Sequence, residues 1–293
     1  MLWTPGGFGY HGYMTISAPL AGLVADISQA RLQARPLNWP PDVPADLPAA
    51  YAAALAVRSE RIAAGEKAAG YKVGFTNRTI WPRYGVYAPI WGTVWQSTLS
   101  RVDAGGQNVG VVSLAGLCEP RIEPEIVFGL RAAPVPGCTL TQLVDAIDWI
   151  AHGFEIVHTH FSGWKFSAAQ AVADEGLHGR LLVGRPVELP RGTAPDLLAQ
   201  ALSGIRLKLY GDGVLKDEGT GANVLDGPLQ ALLHFVNELR ALPGAPLLQA
   251  GDVITTGTLT DAWPVLPGQT WHTELEGSGP VAGQLKGLSV RLD

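Results

Sequence analysis

Two glutamates separated by one proline, Glu123-Pro124-Glu125, and a third, Glu155 in Gly-Phe-Glu-Ile-Val, are the residues whose type and spacing best suit chemistry. Glu123 and Glu125 stand in Arg-Ile-Glu-Pro-Glu-Ile-Val-Phe-Gly, a run that ends as an apolar strand. Residues i and i+2 of a strand share a face, which sets these carboxylates roughly 6–7 Å apart along the chain. Glu155 lies in a second strand-like run between Phe154 and Ile156 and points away from both. A carboxylate beside an apolar core is costly unless it is paired or coordinates a cation. Three of them, with no cysteine nearby in a ligand spacing, point to a hard ion such as Mg²⁺ or Mn²⁺. A blander reading stays open, in which Glu123 and Glu125 are exposed on an edge strand that tolerates Pro124.

Other groups carry weaker signals. Lys72, in Tyr-Lys-Val-Gly-Phe, is either the outward residue of a half-buried strand or a cation that binds an anion or moves a proton beside the carboxylates. Lys165, in Gly-Trp-Lys-Phe, reads as a surface residue when taken alone. In Thr255-Thr256-Gly257-Thr258 a glycine-flanked hydroxyl with backbone N–H groups would cradle a carboxylate, or the segment is an ordinary turn. The aromatic stretch 81–95, with Trp81, Trp91 and Trp95, would roof a pocket or pack on the body. His152, His158 and His160 fall on the opposite face from Glu155 or past the strand end, which reads as a surface or core-edge role.

The elements that must position these groups are legible in outline. Leu20, Leu23, Val24 and Ile27 repeat at helical spacing, and a proline-rich bridge, 36–48, leads to an alanine-rich helix over about 48–67 that Gly70 would end. Residues 71–76 then read as a short strand. Thr139 and Gln142 form a capping box for a helix carrying Leu143, Val144, Ile147 and Ile150 on one face. Another helix begins near Asp226-Gly-Pro and buries Leu229, Leu232, Leu233, Val236 and Leu239. With 36 glycines and 22 prolines, the rest reads as short strands and turns. The expected organisation is an N-terminal arm and helical segment over 1–70, then a mostly β catalytic body over 71–293.

Net charge is −5 with no basic cluster, which argues against nucleic acid and anionic membranes as partners. No apolar run reaches membrane-spanning length. Two cysteines, Cys118 and Cys138, give neither a disulfide framework nor a zinc spacing and fit a reducing cytoplasm. The opening residues lack the features of a signal peptide and read as a loose arm, with Met14 a second candidate start.

Taken in order along the chain, these segments resemble the fumarylacetoacetate hydrolase superfamily, in particular its 2-keto-4-pentenoate hydratase and 2-oxo-3-hexenedioate decarboxylase branch. Gly-Tyr-Lys-Val-Gly-Phe-Thr-Asn (70–77), Gly-Val-Tyr-Ala-Pro-Ile-Trp-Gly (85–92), Glu-Pro-Glu-Ile-Val-Phe (123–128), Phe-Glu-Ile-Val (154–157), the glycine loop 219–229 and Ala-Gly-Asp-Val-Ile-Thr-Thr-Gly-Thr-Leu (250–259) carry the likeness. It implies an α+β fold, a mixed β-roll with small helices. It also implies Mg²⁺ or Mn²⁺ on Glu123, Glu125 and Glu155, Lys72 and Lys165 as catalytic lysines, and Thr258, Gly257 and Trp91 as substrate contacts. The implied activity is a metal-dependent hydratase of 2-hydroxypenta-2,4-dienoate-type 2-oxo acids in aromatic catabolism, cytoplasmic and homo-oligomeric. A decarboxylase, a carbon–carbon hydrolase and an inactive ligand-binding relative are the alternatives. One departure motivates the last of these: Tyr87 and Ile90 stand where the branch often has aspartate. No counterpart is visible of the His–Glu pair by which the superfamily's hydrolases activate water.

Overall fold

The structure, a computed structural model, describes residues 18–78, 81–84, 87–103, 105–135 and 137–293. The arm expected over 1–17, Met14, and Gly85-Val86 of the aromatic stretch lie outside the described residues.

Helices α1 (Ala18–Gln33) and α2 (Leu47–Ala63) come first and pack on each other through buried residues that include Val24, Ile27, Ala50, Ala53 and Val57. Asp46 caps α2, accepting from Ala49 N–H at 2.8 Å, and Pro48 occupies the first turn, where an intrahelical donor is not needed. The helix stops earlier than the spacing predicts. Gly65, at φ +94°, supplies the left-handed residue past its end, and Gly70 already lies in β1 (Ala68–Gly74).

A short helix α3 (Trp81–Tyr84) is followed by strands β2 (Ile90–Trp95), β3 (Leu99–Arg101), β4 (Val109–Val112) and β5 (Arg121–Leu130). Helix α4 (Leu140–Ala146) carries the expected Thr139–Gln142 capping box but ends at Ala146. Ile147 and Ile150 belong instead to the eleven-residue β6 (Ile147–Val157). Its β-branched and aromatic content, paired along β5 from Arg121↔Val157 to Leu130↔Ile147, outweighs the local helical spacing.

Then follow α5 (Ala168–Ala173), β7 (His178–Val183), β8 (Val187–Glu188), α6 (Pro195–Ser203), β9 (Arg206–Gly211), β10 (Val214–Thr220), α7 (Pro228–Ala241), β11 (Val253–Thr258), β12 (Trp263–Pro264), β13 (Thr270–Glu276) and β14 (Ser289–Leu292). Helix α7 begins and buries its residues as predicted, with Leu233 only half-buried.

The larger sheet runs β2-β1-β11-β5-β6-β7-β3, with β12 on β5 and β8 on β6; the smaller runs β10-β9-β13-β14-β4. Both sheets are mixed, with three parallel pairs (β1 with β11, β3 with β7, β14 with β4) among antiparallel ones, and the architecture is α+β. Strand β5 lies at the centre of the larger sheet, between β11 and β6. Ile126, Phe128, Ile150 and Phe154 face the main core, while Val127 and Ala151 join a smaller apolar cluster with Val94, Leu181, Val183 and Val253. By strand alternation Glu123, Glu125 and Glu155 share the face of Val127 and Ala151.

Candidate metal centre

Register brings the three glutamates together. Glu123 pairs directly with Glu155 across β5 and β6, and Glu125 follows two residues on along the same face. One carboxylate oxygen from each lies within 4.8 Å of the other two. Glu125 and Glu155 are fully buried and Glu123 is half-buried, lining a cleft of about 220 Å³. The edge-strand reading therefore fails. Pro124 stands in a central strand one residue past the pair Glu125↔Thr258, where β11 resumes pairing after a bulge between Thr255 and Thr258. The Pro124 carbonyl still accepts from Leu259 N–H at 2.9 Å.

That bulge also orients Glu125. Gly257 N–H donates to Glu125 Oε2 at 2.6 Å from a backbone at φ +99°. A Cβ there would stand 1.9 Å from Thr76 Oγ1, so both conformation and space demand glycine. The N–H of Gly257 is thus committed to a protein carboxylate and is not a free cradle for a substrate, while Gly257 and Thr258 both line the cleft.

Glu155 is tethered in the same manner, with His178 Nδ1–H donating to its Oε1 at 2.8 Å. Thr98 Oγ1 lies 2.8 Å from the other ring nitrogen and itself accepts from Trp95 N–H. Each buried carboxylate thus has one oxygen held, while Glu125 Oε1 and Glu155 Oε2 are buried without a hydrogen-bond partner. Orphaned buried oxygens of this kind are costly, and a hard divalent cation would satisfy them. The all-oxygen donor set fits Mg²⁺ or Mn²⁺ and suits soft metals poorly. It is the only such cluster among the described residues.

The charges agree. Burial pushes the Glu123 carboxyl up to about 7, and burial with the neighbouring carboxylates pushes Glu125 well above the ordinary range. Glu155 moves the other way: burial opposes its charge, but Lys72 and the His178 hydrogen bond hold it below the usual carboxylate range. Lys72, 3% exposed on β1, lies 3.6 Å from Glu155 Oε2. Burial works against its charge, and Glu155, Glu123 and Glu125 together outweigh burial, so the ammonium is retained. Lys72 is therefore an inward residue and not the outward one of a half-buried strand.

The histidines are not surface residues. His152, on the face opposite Glu155, donates from Nδ1 to the Glu125 carbonyl at 2.9 Å and receives Thr273 Oγ1–H of the smaller sheet at Nε2, 2.8 Å away. Burial lowers its pKa to about 4, so it ties the two sheets together as a neutral ring. His160 pairs with Asp174 at 2.6 Å. His178 escaped the sequence reading because Glu-Gly-Leu-His-Gly-Arg has no strand alternation to set its direction. Its pairing with Glu155 is a His–Glu contact, but His178 does not line the cleft.

The cleft wall includes Thr76, Ile90, Arg121, Trp164, Phe166 and Thr258. The Arg121 guanidinium lies over the Trp164 ring, 4.2 Å from its centroid. Two expectations need correction here. Trp91 does not roof the cleft. It is 5% exposed and packs in the core on Tyr51, Tyr71 and Phe235, because β2 alternation gives the cleft Ile90 instead. Lys165 is exposed and lines a neighbouring groove with Trp39 and Phe161, while Trp164 lines the cleft and Phe166 lies between the two. Trp95, also fully buried, bonds Glu175 through its indole N–H. Tyr87 is exposed, and Arg78 pairs with Asp226 at 2.6 Å, away from the cleft lining. The Arg83 side chain lies outside the described residues.

No protein-family model matches the chain. It is 30% identical over 220 residues to a 2-hydroxyhexa-2,4-dienoate hydratase of Comamonas testosteroni, an alignment covering 75% of this chain and 78% of that one. The chain belongs to the fumarylacetoacetate hydrolase superfamily, in its hydratase and decarboxylase branch. A 4-oxalocrotonate decarboxylase of Pseudomonas sp. (strain CF600) from this branch is also 30% identical, over 75% of this chain and 78% of that one. The superfamily fold extends over nearly the whole chain. The 4-oxalocrotonate decarboxylase from Pseudomonas putida G7, complexed with magnesium and adipate, superposes with a TM-score of 0.79 at 26% identity, over 94% of this chain and 97% of that one. Relatives in the branch are named as hydratases and decarboxylases, and this chain is an enzyme of their kind.

Proposed function

We propose that this enzyme is a divalent-metal-dependent hydratase that adds water to 2-hydroxypenta-2,4-dienoate-type 2-oxo acids formed from cleaved aromatic rings. The observation that carries the reading is the convergence of Glu123, Glu125 and Glu155, two of them with an unpartnered oxygen, beside the buried ammonium of Lys72. Relatives named as hydratases at about this identity support the choice of substrate class. Two free thiols, Cys118 and Cys138, suit a reducing compartment such as the cytoplasm.

Glu123, Glu125 and Glu155 would hold Mg²⁺ or Mn²⁺, with Gly257 N–H and His178 fixing the directions of two of them. When bound, such an ion supplies Lewis-acid polarisation to a 2-oxo acid. Lys72, kept protonated in the cleft wall, delivers a proton to the terminal carbon of the dienol, and the enol proton passes through water to restore the ammonium. That yields an enone conjugated to the carbonyl, and water then adds at its β-carbon to give the 4-hydroxy-2-oxo product. Ile90, 1% exposed, gives the cleft wall an apolar surface suited to the hydrocarbon end. It cannot act as acid or base, which leaves Lys72 as the cleft-lining ammonium beside the carboxylates.

A decarboxylase of 2-oxo-3-hexenedioate is the second reading. Arg121 favours it, because a guanidinium in the cleft wall suits a distal carboxylate. Turnover of the dienoate, the hexenedioate and an acylpyruvate by the Mg²⁺-loaded enzyme separates the cases. Fastest turnover of the dienoate supports the hydratase; CO₂ release from the hexenedioate at the higher kcat/KM overturns it.

A further inference from the structure

A second cavity, of about 540 Å³, shares no lining residue with the metal cleft. Arg31 of α1, Arg61 of α2, and His158 and Arg180 stand in its wall. Cys118 N–H donates to His158 Nδ1 at 3.3 Å, which leaves the ring proton on Nε2. That Nε2 is buried with no partner, on a side chain only 2% exposed. Arg31 Nη1 is likewise buried and unpartnered, although its Nε is paired with Glu175. Arg180 donates to the carbonyls of Gly179 and Ala115, both at 2.9 Å, and pairs with no carboxylate among the described residues. Burial and the nearby Arg31 charge both work against its own. The two carboxylates in the wall are paired with other wall residues: Glu60 accepts from Ser28, and Glu66 from Arg61 and Ser97.

Two buried donors without acceptors in one cavity, Arg31 Nη1 and His158 Nε2, beside an Arg180 charge that no carboxylate balances among the described residues, call for a shared acceptor, because each orphan costs about 1–3 kcal/mol. We propose that this cavity binds a small oxyanion, the carboxylate or phosphate group of a low-molecular-weight ligand, between Arg31, His158 and Arg180. The apolar wall of Leu32, Val57 and Leu117 and a volume beyond that of the oxyanion leave room for a short carbon skeleton. A ligand there bears on the metal centre. Thr98, also in the wall, bonds His178, which holds Glu155. Glu175 pairs with Arg31 and Arg61, while the adjoining Gly176 and Leu177 line the metal cleft.

The test is calorimetric titration of the Mg²⁺-loaded full chain with inorganic phosphate and, separately, with succinate, alongside crystals soaked in selenate for its anomalous signal. Arg180→Gln removes a donor, and Leu32→Glu, at a position 86% exposed, adds a repelling carboxylate at the cavity without touching the core. Expected is a selenate peak within hydrogen-bond distance of Arg31, His158 and Arg180, with phosphate or succinate binding weakened about tenfold or more in both variants. The stronger of the two probes identifies the ligand as a phosphate or a carboxylic acid. Mg²⁺ affinity in the variants should stay within about twofold, which shows that they fold. Absence of the peak, a cavity filled by the chain's own residues or a second copy, or unaltered binding in both variants would overturn the proposal.

Discussion

Lys72 Nζ lies 3.6 Å from Glu155 Oε2, the oxygen of that carboxylate which no hydrogen-bond donor reaches. The lysine and a dication bound by the three glutamates would therefore act on the same oxygen from two sides. Like charges at such range repel, so Lys72 should oppose metal binding while serving turnover.

Lys72→Met separates these effects. Its loss should tighten Mn²⁺ binding, because a competing positive charge is gone, and lower kcat by about 100-fold or more, the usual weight of a positioned proton donor. Calorimetry and steady-state kinetics on one preparation check both. Weaker Mn²⁺ binding or near-normal kcat would remove Lys72 from the proposed role.

His178→Ala cuts the 2.8 Å tether on Glu155 Oε1 without removing a ligand. Metal affinity should fall about 10–100-fold, as is usual for a partner that orients a ligand. Saturating Mg²⁺ should restore most of the activity. A variant that stays inactive at saturating metal would show that His178 does more than hold Glu155.

Stability of the metal-free protein should fall as pH rises. The folded-state pKa of Glu123, about 7, exceeds the roughly 4.3 of an unfolded glutamate, so the fold favours its protonated form. The stabilisation is complete below pH about 4.3 and is lost as pH rises through about 7. Metal binding needs the carboxylates deprotonated, so Mg²⁺ should raise Tm most above neutral pH. Thermal melts from pH 5 to 8 with EDTA and with Mg²⁺ test both signs, and parallel curves would contradict them.

Lys165→Ala should leave kcat/KM within about twofold, since the side chain is exposed and outside the cleft. Trp164→Ala, in the cleft wall beneath Arg121, should raise KM. Kinetics of the two variants on one substrate decide whether the lysine or its neighbours belong to the site.

Much of the site was legible because it rests on strand alternation and register. Glu123 and Glu125 share a face by periodicity alone, and any antiparallel pairing of their strand with that of Glu155 could bring a third carboxylate near. What the sequence hid depends on contacts between distant segments. The bulge that turns Gly257 N–H onto Glu125 exists only once β11 lies on β5, and His178 meets Glu155 only across β6 and β7. Trp91 and Lys165 failed as predictions for a shared reason. Each is one residue out of phase with a neighbour that reaches the cleft: the alternation of β2 could not be assigned a face from the sequence, and the irregular chain around Lys165 has no period at all. The helix expected through Ile150 failed because pairing with β5 overrode local spacing.

The most direct measurement is the anomalous difference map of Mn²⁺-soaked crystals, paired with titration of Mn²⁺ into Glu125→Gln. One peak per chain, about 2.1 Å from oxygens of Glu123, Glu125 and Glu155, with binding lost in the variant, is the expected result. A peak elsewhere, or full Mn²⁺ affinity in Glu125→Gln, would contradict the carboxylate centre on which the proposed chemistry depends.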